Sequence, residues 1–164
     1  MGISKRGSEM GEWKKWAKLL EQLRLRNSKV NNYYRMATGA VRDPKLKQSL
    51  LKYATTRAQF SFELSQRIQT IGGTSDFELK DRFGGAAISL YLSEENLSRI
   101  LQKSILAEKE CLVEYSKALT KINDGATREI LIRHRAGINS ILRELQHLNA
   151  LIPFSGKSGS IKIK

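Results

Sequence analysis

The chain has 164 residues, 29 Lys and Arg against 16 Asp and Glu, a net charge of +13, one cysteine and two prolines. That length fits one domain, able to bury enough surface to fold without a metal or a disulfide. The lone Cys111 excludes an internal disulfide and a thiolate zinc cluster, and no apolar run approaches the ~18 residues of a membrane span. With no leader-type apolar segment at its start, the chain is expected in a reducing, cytoplasmic setting.

Four segments repeat apolar residues at steps of three and four, the period of a helix with one buried face. The first runs from about Glu12 to Val41 and sets Trp16, Leu19, Leu20, Leu23, Val30, Tyr34 and Ala37 inward. Asp43-Pro44 opens the second, an N-cap followed by proline at the first helical position. Its face is Leu46, Leu50, Tyr53, Phe60, Leu64, Ile68 and Ile71, and Gly72-Gly73 stops it. The third starts at Ser93, with Glu94 and Glu95 favoured by the helix dipole, and carries Leu97, Leu101, Ile105, Leu112, Tyr115, Leu119 and Ile122. Asn123-Asp124-Gly125 ends it. The fourth uses Ile130, Leu131, Ile138, Ile141, Leu142, Leu145 and Leu148 until Pro153.

Two of the three connections are short, which makes each joined pair antiparallel neighbours. About twenty residues separate Gly73 from Ser93, enough to travel the length of a helix. Phe77, Leu79, Phe83, Ile88, Leu90 and Tyr91 would pack this crossover along the bundle, with a short helix around Ala86 to Tyr91. The reading is all-α, a ferritin-like four-helix bundle of two antiparallel hairpins joined by a long crossover. Residues 1–11 form a basic N-terminal segment, 12–152 the bundle, and 153–164 a flexible basic tail.

Near mid-length each apolar stripe is interrupted by one polar residue: Asn27, Arg57, Glu108 and His134. Ferritin-like di-metal centres need a Glu from each of two helices and a Glu-x-x-His pair from each of the others. Only one of these four is a carboxylate, and a guanidinium cannot ligate a metal. The one Glu-x-x-His, Glu144 to His147, faces away from the stripe. The pattern therefore implies no metal and no cofactor, but a buried Arg57–Glu108 pair assisted by Asn27 and His134, the alternative being a solvated Glu108. Tyr34, Tyr53 and Tyr115 read as core residues whose hydroxyls need partners, His134 as a satisfied core histidine, and Cys111 as a small hydrophobe. No nucleophile–base pair or phosphate-cradling glycine loop occurs, which argues against an enzyme.

Several stretches are similar to the ferritin-like superfamily, and more closely to an uncharacterised bacterial family of four-helix bundles within it. They are Tyr33-Tyr34-Arg35-Met36-Ala37, Arg42 to Lys47, Arg57 to Leu64, Ile68 to Gly73, Glu108-Lys109-Glu110 and Tyr115 to Leu119. The resemblance spans roughly Leu19 to Leu148 and implies the architecture and a link to stress responses. The crossover lacks the tryptophan-containing helix of those relatives, and the ligand motifs of ferritins and rubrerythrins are missing.

Two functional classes follow. In the first the bundle is a non-catalytic protein that self-associates or binds a partner protein, and Leu51, Phe62, Leu106 and Val113 on second faces opposite the core would bury in such an interface or under the crossover. In the second its charge meets a polyanion such as DNA or an anionic surface, through Lys5, Arg6, Lys14, Lys15, Lys18, Lys157, Lys162 and Lys164. Trp13 and Trp16 among those lysines would suit a membrane-surface helix, but Trp16 belongs to the core stripe. A metal-dependent oxidase or an iron store is the reading disfavoured by the missing ligands.

Overall fold

The computed structural model describes residues 2–74 and 97–161, with side chains described for 11–74 and 97–152. It is all-helical over those residues, with α1 at Gly2–Ala40, α2 at Pro44–Thr70, α3 at Leu97–Lys121 and α4 at Gly125–Ile161. The expected crossover helix, its apolar side chains and the Ser93–Glu95 start lie outside the described residues.

The helix ends follow local chemistry. Asp43 is extended and its carboxylate accepts the backbone N–H groups of Lys45 and Leu46, so α2 starts where the sequence places it. At the other end Gly72 has φ +92°, a conformation that L side chains avoid, and Gly73 N–H returns to the Ile68 carbonyl. A Cβ at Gly73 would stand 2.8 Å from the Ile68 side chain and 3.1 Å from Ala17, so this turn packs tightly on α1. Asp124 caps α4 by accepting from the Thr127 backbone and hydroxyl, and it also holds Arg67 of α2 at 2.6 Å.

Two boundaries differ from the sequence reading. Backbone helix reaches Gly2, because nothing between Gly2 and Glu12 has the proline needed to break it. It also continues through Pro153 to Ile161: proline withdraws one donor, from the Asn149 carbonyl, and a single missing bond does not force a stop. Residues 2–11 and 153–161, expected to stand apart as parts of an N-terminal segment and a flexible tail, continue α1 and α4 instead.

α1 packs on α2 and α3, and α4 on α3 and α2. Trp13 meets Gly72, Ser28 bonds Ser61 at 2.9 Å, and Tyr34 packs edge-on against Tyr53. Trp16 donates to the Lys121 carbonyl near one end, while Tyr33 donates to the Ile100 carbonyl nearer the other. The stripes are buried as expected, with Leu20, Leu50, Leu64, Ile68, Ile122, Leu131, Ile138 and Leu145 fully enclosed. Leu51, Phe62, Leu106 and Val113 are exposed, by 46–57%. No described helix is long and apolar enough to cross a membrane.

Candidate functional site: the polar centre

Asn27, Arg57, Glu108 and His134 are all fully buried. A helix stripe that turns 100° per residue can bury a polar side chain only if the facing helices supply its partners. Here they do so in part, in two separate clusters, with Asn27 Oδ1 among the buried atoms that have no hydrogen-bond partner among the described residues.

The first cluster is ionic. The Arg57 guanidinium lies 3.7 Å from the Glu108 carboxylate, and both side chains have no exposure. Tyr34 donates its hydroxyl to the other Glu108 oxygen, and Arg57 Nη2 contacts the Cys111 sulfur at 2.6 Å. Nε and Nη1 of Arg57 and Oε2 of Glu108 have no hydrogen-bond partner among the described residues. Burial is the largest influence on Arg57 and opposes its charge, but Glu108, together with Cys111, Tyr115 and Tyr34, outweighs it and holds the guanidinium protonated. Burial pushes the Glu108 carboxyl upward, against the pull of Arg57 and the Tyr34 hydroxyl. It likewise raises the Tyr34 phenol, with Glu108 adding to the effect, and the Cys111 thiol despite its cationic neighbour. A buried thiol kept protonated is a poor nucleophile.

The second cluster is a chain of hydrogen bonds. Asn27 Nδ2 donates to the Leu23 carbonyl and to the Tyr115 hydroxyl, each at 2.8 Å. Tyr115 meets His134 Nδ1 at 3.1 Å, and His134 Nε2 meets Glu63 at 2.7 Å. Arg133 closes the far side of Glu63 at 2.9 Å, where the chain reaches solvent. With Glu63 ionised, Nε2 carries the imidazole proton and Nδ1 accepts from the phenol, so every link has a donor and an acceptor. Burial lowers the His134 pKa to about 4 even though Glu63 pulls it up, and the imidazole is neutral at pH 7. Burial works to raise Glu63, but bonds from Arg133, His134 and Gln59 win and bring it to about 2. Phe60 stacks on the imidazole with centroids 4.0 Å apart. Gly137 makes room for that ring, because a Cβ there would stand 2.8 Å from it.

The sequence pairing of Arg57 with Glu108 is therefore realised, and Glu108 is not solvated. The expected help from Asn27 and His134 is not: Tyr115 reaches between those two and takes their hydrogen bonds, and neither is bonded to the ion pair. Sequence reasoning missed Glu63, which sits on the flank of α2 rather than in its stripe, and Arg24, fully buried while holding Glu21 with two nitrogens. The spacing of Glu21 to Arg24 was the available signal, an i,i+3 pair. Glu144 and His147 are exposed, and Glu144 accepts from Tyr53 at 2.7 Å.

A ferritin-like di-metal centre asks for four carboxylates and two imidazoles converging at this depth. Glu108 is committed to Tyr34 and Arg57, His134 lies between Tyr115 and Glu63, and a fixed cation occupies the space between helices. Among the described residues no three His, Cys, Asp or Glu side chains converge on a common point. These residues do not fit such a centre.

Of the proposed polyanion contacts, Lys14, Lys15 and Lys18 are exposed on α1. The side chains of Lys5, Arg6 and Lys157, and Lys162 and Lys164 altogether, lie outside the described residues. No protein-family model matches the sequence, and no curated protein matches it.

Proposed function

We propose that this chain is a non-catalytic ferritin-like bundle that acts by binding another macromolecule, with an arginine–glutamate pair in place of a di-metal centre. One observation carries the reading: a guanidinium without solvent exposure stands 3.7 Å from a carboxylate without solvent exposure, midway along the helices. A permanent cation at that point repels a second one and contributes no ligand.

The antiparallel hairpin arrangement has independent support. The links 41–43 and 122–124 are three residues each, and the contacts Trp13–Gly72, Ser28–Ser61 and Tyr34–Tyr53 close in on the first of them. α2 ends beside Trp13, whereas α3 begins near Tyr33, about 30 Å further along α1 at 1.5 Å per residue. That separation of the two described ends supports the reading of a long crossover between the hairpins.

The test is iron loading. After anaerobic incubation with ferrous iron and gel filtration, the protein should retain less than about 0.1 metal per chain, against two for a ferritin-like centre. Retention of one or more equivalents, lost in Glu108→Gln, would overturn the reading. Exposure of Lys14, Lys15 and Lys18 supports polyanion binding as a second reading. Affinity for duplex DNA that fell steeply with added salt would favour it over protein binding.

A further inference from the structure

We infer that the outer groove between α1 and α3 is a docking site for a short acidic amphipathic helix of a partner protein. The inference rests on the binding role proposed above and names the surface and the partner's chemistry.

The groove encloses about 440 Å³. Its floor is apolar, with Leu19, Leu23 and Ala118 from the two facing helices, and Leu25, 40% exposed, stands on its edge. Lys29, Lys117 and Lys121 line its rim, and all three are exposed. Among the described residues Glu114 is the acid that lines it, already engaged by Arg26 through both carboxylate oxygens, and Arg26 also stands 3.7 Å from Glu110 beside the groove. The rim thus offers three lysine charges to an incoming partner, and the local acid is neutralised from within.

Charge and polarity choose among occupants. A second copy of this chain would bring another +13 against the same lysines, so self-association across this face is opposed. A nucleic-acid backbone would satisfy the lysines but leave the leucine floor against phosphate and water. A helix with leucines at i, i+3 or i+4 and i+7 and glutamates beside them answers both features. From Leu19 to Lys29 the groove runs about 15 Å, which is three turns of partner helix.

The probe is a fluorescein-labelled, lactam-stapled 14-residue peptide with that leucine spacing and glutamate flanks, followed by anisotropy. Two controls are the same peptide with serine for leucine and a duplex DNA of equal charge. Wild-type protein should bind the leucine peptide with Kd on the order of 10–100 µM, at least tenfold tighter than the serine peptide. Lys29→Glu with Lys117→Glu and Lys121→Glu, and separately Leu25→Glu, should each weaken it at least tenfold while leaving the circular dichroism and Tm within a few degrees of wild type. The Arg57→Met, Glu108→Leu variant should bind as wild type does, so metal found at the centre and failure of the groove are separate results. Absence of saturable binding, equal binding of leucine and serine peptides, tighter binding of DNA, or affinity indifferent to the groove variants would each overturn the inference. A photo-crosslinker at position 25 that captured residues 75–96 of the same chain in place of the peptide would do so as well.

Discussion

Replacing Glu108 by alanine would leave the Arg57 guanidinium fully buried with a thiol as its nearest polar contact. Removing one member of a buried ion pair costs about 3–5 kcal/mol, and the Tyr34 hydroxyl, deprived of its acceptor, adds about 1–3 kcal/mol. Against a typical stability of about 5–15 kcal/mol, such a variant would be close to unfolded. The double change Arg57→Met with Glu108→Leu acts differently. It removes both charges together with Nε, Nη1 and Oε2, atoms that already lack hydrogen-bond partners, and leaves the Tyr34 hydroxyl without its acceptor and the weakly accepting Cys111 sulfur without its donor. Apolar replacement of a buried pair is often neutral or stabilising by about 1–4 kcal/mol, so the double variant should fall within about 2 kcal/mol of wild type. Adding Tyr34→Phe should recover part of the remaining loss. Urea unfolding at pH 7, read by the fluorescence of Trp13 and Trp16, measures all three. Glu108→Gln, which keeps an acceptor for Tyr34, gives an intermediate point should the alanine variant not fold. Equal losses for the single and the double change would refute the reasoning, since they would mean that the two charges do not act as a pair.

Other consequences can be measured on the same protein. His134 titrates near 4 when folded and near 6.5 when unfolded, so the unfolded chain takes up the proton first as pH falls. Stability should therefore drop by about 3 kcal/mol between roughly pH 6.5 and 4, and His134→Phe should flatten that slope in urea titrations at stepped pH. Glu63, lowered to about 2, extends the loss below roughly pH 4.5, a limb that Glu63→Gln should remove. Asp124→Ala deletes the cap of α4 and a contact to Arg67, and should cost about 1–2 kcal/mol in the same assay. Gly137→Ala should gain about 1 kcal/mol of helix propensity yet lower stability, because Phe60 must leave the imidazole; in a Phe60→Leu background it should become stabilising.

Much of this was legible in the residues. Asp43-Pro44 and Gly72-Gly73 announce their helix ends because capping and positive φ are local chemistry, decided within four residues. The central polar positions were legible because a polar residue on an apolar stripe breaks a simple period. Their partners were not, since they depend on the relative rotation and height of neighbouring helices. Tyr115 separates Asn27 and His134 from Arg57 by the reach of one phenol, and Glu63 joins His134 from a partly buried flank. The extension of α4 beyond Pro153 was hidden for the opposite reason: proline is a strong local stop signal, overridden here.

The most direct test of the arginine–glutamate centre is a high-resolution crystal structure of crystals soaked in manganese, with anomalous data at its edge. Continuous guanidinium and carboxylate density is expected at Arg57 and Glu108, with no anomalous peak between residues 27, 57, 108 and 134. A peak there, with Arg57 turned away and Glu108 or His134 as a ligand, would contradict it.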